Sequence, residues 1–257
     1  MLELQNIYKT YNPGQVEQIA IFENFSFKIE DGQFVSLVGS NGSGKTSMLN
    51  IICNSISPDK GKILINGEDI TNKKEHERYK NIGRVYQNPA LGTCGDMTIF
   101  ENLSMADNKN KPFNLSRGLN FKRKQFYKEQ LEQLDLGLEN KLNTKVSALS
   151  GGQRQALALL MATISPIDFL ILDEHTAALD PKTAEIIMGL TDKLIKEKGI
   201  SSLMVTHNLR YAIEYGDRLI MMHEGNIVLD KYGEEKAKTQ LKDVLDLFTS
   251  ISIECGN

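Results

Sequence analysis

Short apolar runs, separated by polar turns and followed by segments with helical spacing, make up most of the chain. Residues 34–38 and 169–172 form two such runs without clear polar alternation, which predicts parallel strands buried on both faces. Residues 45–53 have helical spacing soon after the first run, and a third apolar run ends at His207. Strands that alternate with helices in this way predict an α/β fold.

The pattern changes along the chain. From residue 2 to about residue 70 it contains several strand-like runs and turn signals, which predicts a β-rich lobe. From about residue 88 to residue 148 it is polar with helical spacing. Beyond His207 it predicts a hairpin around Gly225 and then one amphipathic helix over residues 234–248, with no separate regulatory domain.

A glycine-rich loop joins the first apolar run to the first helix. It fits the spacing of a phosphate-binding loop, in which a Gly is followed by four residues and then by Gly-Lys-Thr. The loop consists of Gly39, Ser40, Asn41, Gly42, Ser43, Gly44, Lys45 and Thr46. Glycines let backbone N–H groups converge on phosphate oxygens, and the following helix directs its positive end at them. We expect Lys45 to meet the β- and γ-phosphates and the Thr46 hydroxyl to bind Mg²⁺.

Two acids follow the apolar run at residues 169–172. Asp173 ends this run, and ligands of open parallel sheets bind at the carboxyl ends of strands. Asp173 is therefore a candidate ligand of Mg²⁺, directly or through water. Glu174 would face the γ-phosphate and deprotonate the attacking water. Two adjacent acids alone are more often a solvated strand end, but the phosphate loop favours the nucleotide site.

The run Leu149-Ser150-Gly151-Gly152-Gln153 offers a second anion site. A hydroxyl and two glycines open a helix near Gln153, so that a side chain, amides and a helix N-terminus converge. This run resembles the signature motif of the ATP-binding cassette (ABC) ATPases. In that family the signature of one subunit covers the γ-phosphate held by the phosphate loop of its partner. The resemblance therefore implies a head-to-tail dimer with two composite ATP sites.

Other positions match the same family one by one. Tyr11 stands where the family places a ring against adenine, although Tyr8 is close enough to leave that choice open. Gln87 matches the glutamine that touches Mg²⁺ and the attacking water and links the site to the membrane partner. His207 matches the histidine that contacts the γ-phosphate, and Asp180 the aspartate that crosses the dimer interface. The nucleotide-contacting set implied by the resemblance is completed by Ser47, Ser150, Gly151, Gly152 and Gln153.

The resemblance also implies an architecture and partners. It implies an α/β P-loop ATPase core with a mixed sheet, an N-terminal antiparallel β subdomain and an inserted helical subdomain. One ABC ATPase domain would span residues 1–257, with its core at 1–87 and 150–257 and the helical subdomain at 88–149. A separate transmembrane permease would place the chain at the cytoplasmic face of the plasma membrane.

The runs around Met97 and Asp180 are similar to those of bacterial importer ATPases that work with a lipoprotein-type substrate-binding protein. Some of those importers are assigned to aromatic or other amino acids. The catalytic set would comprise Lys45, Gln87, Glu174 and His207, with ATP and Mg²⁺ as cofactors. The metal ligands would be Thr46, Gln87 and Asp173. Three alternatives remain, a soluble ABC ATPase without a transport role, the ATPase of an exporter, and a binding module that holds nucleotide without hydrolysing it. The presence of Glu174 and His207 argues against the last.

Composition narrows the function classes. The 257 residues carry a formal net charge of −3, which argues against a nucleic-acid partner. The 3 cysteines have no CxxC spacing and indicate neither a disulfide framework nor a zinc site. No apolar run is long enough to span a bilayer, so a pore would come from another chain.

Two local features stand apart from this picture. A basic segment includes five cations near two phenylalanines, which indicates either contact with anionic lipid or the permease, or a solvated helix face. Its cations are Arg117, Lys122, Arg123, Lys124 and Lys128. His175 follows Glu174, where many family members carry Pro or Ala, and is expected to be structural.

Overall fold

A computed structural model describes the chain over residues 1–111 and 118–254, with side chains up to residue 250. Within these residues there are ten strands and nine α-helices. The strands are β1 Leu2–Tyr11, β2 Ile19–Ile29, β3 Phe34–Gly39, β4 Lys60–Ile65, β5 Glu68–Asp69, β6 Ile82–Val85, β7 Phe169–Asp173, β8 Ser201–Val205, β9 Arg218–His223 and β10 Asn226–Tyr232. The helices are α1 Lys45–Cys53, α2 Glu75–Arg78, α3 Ile99–Asp107, α4 Lys124–Glu132, α5 Gly151–Thr163, α6 Pro181–Lys198, α7 Leu209–Glu214, α8 Gly233–Ala237 and α9 Leu241–Glu254.

Two sheets form the core. The smaller is antiparallel, in the order β2-β1-β4-β5. The larger has the order β10-β9-β3-β8-β7-β6 and is mixed, because β9 and β10 pair antiparallel while the other neighbours are parallel. Apolar side chains from both sheets and from α1 pack into one cluster. The predicted α/β class, mixed sheet and N-terminal antiparallel unit are confirmed.

The parallel part of the larger sheet explains why the predicted site residues can meet. Every residue of β3 and β8 is buried, as expected for strands covered on both faces. The neighbours β3, β8, β7 and β6 run in the same direction, so their carboxyl ends share one edge. The phosphate loop, His207, Asp173 and Gln87 each lie at or just beyond one of these ends.

A helical unit is inserted between β6 and α5. It contains α3 and α4, with short 3₁₀ turns between them and before α5. Its apolar side chains pack in a separate cluster against α5 and Ile187 of α6. Thr98 caps α3, since its side chain accepts a hydrogen bond from the Glu101 N–H while Glu101 accepts one from the Thr98 N–H.

The single helix predicted over residues 234–248 is wrong, because two helices, α8 and α9, occupy this region. The ammonium of Lys236 donates to the carbonyls of Tyr215 and Gly216, which fixes α8 against the preceding turn. Asp243 then accepts a hydrogen bond from the Gln240 N–H at 3.0 Å, and this bond starts a new helix. The hydrogen bonds of the buried Lys236 to a distant turn therefore decide where α8 lies, although the amphipathic pattern of the sequence continues past it.

No helix in the described part of the chain is long and apolar enough to cross a membrane.

Candidate functional site

The phosphate loop leaves β3 and enters α1 with the geometry that its glycines permit. Gly42 and Gly44 have φ values of +79° and +99°, which residues with a side chain rarely adopt. At Gly39 the reason is space, because an added Cβ would lie 2.3 Å from the Met222 carbonyl oxygen. Gly44 is the N-cap of α1, and no side chain caps this helix. The first amides of α1 are therefore accessible to an anion.

Lys45 is the main cation of the loop. Its side chain is buried, and its ammonium donates to the Gly39 and Ser40 carbonyls, both at 2.7 Å, and to the Ser43 hydroxyl at 3.2 Å. Burial lowers the pKa of Lys45, while the charge of Glu174 acts in the opposite direction. The loop thus holds an ammonium group within a few ångströms of its own amides.

Glu174 and His207 meet at the same edge of the sheet. The Oε1 atom of Glu174 lies 2.7 Å from Nε2 of His207. The Glu174 N–H donates to the Val205 carbonyl at 2.9 Å, and its φ of +48° turns the chain away from β7. The two residues meet because each follows the carboxyl end of one of the neighbouring parallel strands β7 and β8. A carboxylate beside an imidazole at a phosphate-binding loop is an arrangement that can perform acid–base chemistry.

One cavity joins these groups. It has a volume of about 190 Å³ and is lined by the phosphate loop, by Ile21 and by Glu174 and His207. Its loop residues are Asn41, Gly42, Ser43, Gly44, Lys45, Thr46 and Ser47. A larger cavity of about 490 Å³ adjoins it, with Gly39, Ser40 and Asn41 on one wall and Leu245 and Phe248 of α9 on the other.

Asp173 is paired with a residue that the sequence analysis missed. Nη2 of Arg84, on β6, donates to Oδ2 of Asp173 at 2.7 Å. Burial lowers the pKa of Arg84, whereas the hydrogen bond to Asp173 and the charge of Asp173 raise it. The raising effects outweigh burial, so the pKa of Arg84 lies above its usual value. The sequence signal that could have revealed this pair is the charged residue within the short strand 82–85, because a buried cation needs a partner of opposite charge.

The structure separates the two candidate adenine-stacking rings. The Tyr11 hydroxyl donates to the Ser47 hydroxyl at 3.4 Å, which places Tyr11 beside the start of α1. Tyr8 is more exposed and lies next to Lys60, whose ammonium is 5.7 Å from its ring centroid. The geometry therefore favours Tyr11.

The remaining predicted site residues do not line either cavity. Ser150 caps α5, which begins at Gly151, and its hydroxyl accepts from the Gln153 N–H at 3.2 Å. Asp180 caps α6 and accepts from the Thr183 N–H at 3.1 Å. Hydrogen bonding with the Thr183 side chain, followed by this backbone bond, lowers the pKa of Asp180. Gln87 is exposed just beyond β6. Within the described residues of this single chain, neither the signature run nor Asp180 is among the residues that line these two cavities.

One residue of the basic segment, Arg123, and the predicted structural residue His175 have local contacts. Arg123 of the basic segment lies 2.7 Å from Asp107, and its guanidinium stacks 4.1 Å from the Phe126 centroid. Arg117 lies outside the described residues. His175 is fully buried with Nε2 3.1 Å from the Thr191 hydroxyl, and burial lowers its pKa to about 4. These contacts of His175 are those of a structural residue.

Together, the phosphate loop on a buried parallel strand, the acids at the end of β7 and the separate Ser-Gly-Gly helix start define an ATP-binding cassette. The family described as "ABC transporter" matches residues 22–177. The chain belongs to this family and is an ATP-binding transport ATPase. ABC ATPases work as dimers with membrane permease subunits.

Individual relatives agree with this assignment. The chain is 48% identical over 248 residues to the tyrosine transport ATP-binding protein of Clostridioides difficile (strain R20291), covering 96% of this chain and 98% of that protein. It is 34% identical over 257 residues to the ABC transporter ATP-binding protein YxdL of Bacillus subtilis (strain 168), covering 98% and 94%. The solved dimer of the ATP-binding cassette MJ0796 with ADP and Pi superimposes with a TM-score of 0.75 at 32% identity, covering 90% of this chain and 98% of that one.

Proposed function

We propose that the chain powers a bacterial amino-acid importer by binding ATP between two copies in a head-to-tail dimer at the cytoplasmic face of the membrane. Permease subunits and a lipoprotein-type substrate-binding protein would complete the transporter. The observation that carries the catalytic part is the 2.7 Å contact of Glu174 with His207 above the Lys45 loop. The amino-acid cargo rests on the relative named for tyrosine transport, which is 48% identical.

The proposed metal ligands are oxygen donors of the kind that Mg²⁺ prefers. In the described residues no three His, Cys, Asp or Glu side chains cluster as a metal site. The proposed ligands are instead one carboxylate, one hydroxyl and one amide, from Asp173, Thr46 and Gln87. Such oxygen donors fit Mg²⁺, which keeps waters and is completed by phosphates. Because Arg84 binds only Oδ2 of Asp173, Oδ1 is left for the metal or its water.

Each residue then has a defined task. The amides of the loop and the α1 N-terminus bind the phosphates, and Lys45 exchanges its carbonyl bonds for phosphate oxygens. Glu174 orients water and accepts its proton, and His207 donates a hydrogen bond to the γ-phosphate or holds Glu174. Thr46, Gln87 and Asp173 would hold Mg²⁺, which would supply positive charge to the phosphates.

The second half of each ATP site would come from the partner copy. The signature run does not line the phosphate-loop cavity of its own chain, which supports a role across a dimer interface. It consists of Ser150, Gly151, Gly152 and Gln153. Asp180 at the start of α6 would lie at the same interface. Tyr11 would stack on adenine. Gln87 would link the nucleotide site to the permease. Differential affinity of open and closed dimers for ATP and ADP would drive transport.

The test is the variant Glu174→Gln. We expect hydrolysis to fall by about 10²- to 10⁴-fold, because a general base is removed while the side-chain shape is kept. ATP binding should persist, and the dimer should accumulate in Mg-ATP as measured by light scattering. Normal hydrolysis by this variant would contradict the assignment of the base.

Cargo needs a separate measurement. Cells that lack this chain should take up less radiolabelled tyrosine or another aromatic amino acid, and wild-type chain, but not the Glu174→Gln variant, should restore uptake. Uptake of all amino acids at the parental rate would leave the ATPase intact but contradict the proposed cargo class.

A further inference from the structure

Arg84 lies in the interior, immediately behind the proposed metal ligand. Only 9% of its side chain is exposed, although it belongs to a four-residue strand at the edge of the larger sheet. In the register of β6 and β7 it pairs with Ile171, two residues before Asp173. Its side chain reaches along the sheet to Oδ2 of that carboxylate at 2.7 Å. A hydrogen bond between two charged groups in this half-buried setting is a strong one.

The same guanidinium contacts the loop that carries Gln87. It stacks 4.8 Å from the ring centroid of Tyr86, the residue directly before Gln87. The Tyr86 carbonyl in turn accepts a hydrogen bond from Nε2 of Gln155, on α5, at 3.1 Å. Arg84 therefore contacts both the carboxylate that ends β7 and a loop that is also bonded to the signature helix.

A third contact reaches the helix of the phosphate loop. Nη1 of Arg84 donates to Oδ1 of Asn50, on α1, at 3.4 Å. The planar fork is thus fixed by an acid, by a ring and, more weakly, by an amide. Carboxylates that bind metals are commonly oriented by such outer hydrogen bonds, and loss of the outer partner typically lowers metal affinity.

We propose that Arg84 is a positioning residue that holds the Asp173 carboxylate in the orientation in which Oδ1 meets the metal, and that links this orientation to the Gln87 loop. The inference rests on the proposed role of Asp173 as a metal ligand. The alternative is an ion pair that serves stability alone. The two explanations predict different results when nucleotide binding is measured against Mg²⁺ concentration. A pair that serves stability alone would leave this dependence unchanged.

The experiment compares three variants in the Glu174→Gln background, where bound ATP persists. Arg84→Met keeps the aliphatic stem without charge or donors, and Arg84→Lys keeps the charge without the planar fork. Arg218→Met is the matched control, because Arg218 forms the same kind of Arg–Asp pair with Asp230 between β9 and β10. The affinity for a fluorescent ATP analogue is measured in EDTA and over a series of free Mg²⁺ concentrations, with the thermal unfolding midpoint recorded for each protein.

We expect Arg84→Met to raise the Mg²⁺ concentration for half-maximal nucleotide binding by about tenfold while leaving the affinity in EDTA unchanged. Arg84→Lys should recover thermal stability but remain shifted several-fold in its Mg²⁺ response. Arg218→Met should keep the Mg²⁺ response of the parent.

Four results would overturn the proposal. They are an unchanged or lowered Mg²⁺ requirement in Arg84→Met, an equal loss of affinity with and without Mg²⁺, full recovery of the Mg²⁺ response by Arg84→Lys, and an equal shift in Arg218→Met. The variant Asp173→Asn separates the two levels of inference. If it leaves the Mg²⁺ response unchanged, Asp173 is not the metal ligand; if it alters the response while Arg84→Met does not, only the role of Arg84 is wrong.

Discussion

The N-termini of α1 and α5 are alike in chemistry and opposite in how their amides are satisfied. Glycines accompany both helix starts, since Gly44 precedes α1 while Gly151 and Gly152 open α5, and each N-terminus is the positive end of its helix. At α1 the N-cap is Gly44, with no side-chain cap. At α5 Ser150 and Gln153 form a reciprocal capping box. One helix end can receive an anion at once, whereas the other must give up a bond to do so.

The charged groups beside the two helix N-termini also differ. The α1 end has the Lys45 ammonium beside it, and it lines a cavity that also contains Glu174 and His207. The basic residue nearest in sequence to the α5 cap, Arg154, donates to the Ser147 carbonyl at 3.1 Å. We infer that the α1 end dominates ATP binding by a single chain, and that the α5 end contributes only when a partner brings a phosphate to it.

The largest expected effect is on the α1 end. Lys45→Met should weaken ATP binding by about 10- to 100-fold, because about 1.5–3 kcal/mol is typical of hydrogen bonds to charged groups. Titration with a fluorescent ATP analogue measures this loss. Lys182→Met, at the exposed start of α6, is the control and should bind as wild type does. Equal binding by Lys45→Met and wild type would remove the proposed contrast between the two helix ends.

The packing behind the α5 end gives the next prediction. A Cβ at Gly152 would lie 2.3 Å from Cγ2 of Thr183, on α6. Gly152→Ala should therefore destabilise the protein by about 1–3 kcal/mol through overpacking, measured by denaturant unfolding.

Adding Thr183→Ser to this variant removes the obstructing methyl group and should restore part of the loss. Gly151→Ala is the matched control, since its Cβ would make an ordinary 3.5 Å contact with Leu179. Equal destabilisation by the two alanine variants would show that helix-end packing does not distinguish these glycines.

The smallest stability effect belongs to the cap itself. Ser150→Ala should cost about 1 kcal/mol of unfolding free energy, because the Gln153 N–H loses its acceptor. ATP binding by the single chain should stay at the wild-type level, while hydrolysis by the dimer falls. If instead this variant loses single-chain binding as strongly as Lys45→Met, the α5 end acts within its own chain and the comparison fails.

The sequence predicted the buried strands and the phosphate loop well, because these depend on local spacing. Helix 45–53 was predicted with the bounds it has, since it begins at a loop that only glycines can form. The tail was mispredicted, because its periodic pattern continues through a break that the buried Lys236 creates by bonding to a turn about twenty residues earlier.

Arg84 was missed for a related reason. Its partner Asp173 is 89 residues away in sequence, and only the parallel pairing of β6 with β7 makes them neighbours. The sequence likewise could not distinguish Tyr8 from Tyr11, because only the fold shows that Tyr11 contacts Ser47 of α1 while Tyr8 lies beside Lys60.

The sequence by itself determined which chemical groups this ATPase carries and their order along the chain, because motif spacing and strand burial are local properties. Tertiary structure decided which of them meet. It joined Glu174 to His207 and Asp173 to Arg84, since the carboxyl ends of parallel strands distant in sequence share one edge of a sheet. It also made Ser150 the cap of α5, a helix that packs with the inserted helical unit, and Ser150 does not line the phosphate-loop cavity of its own chain.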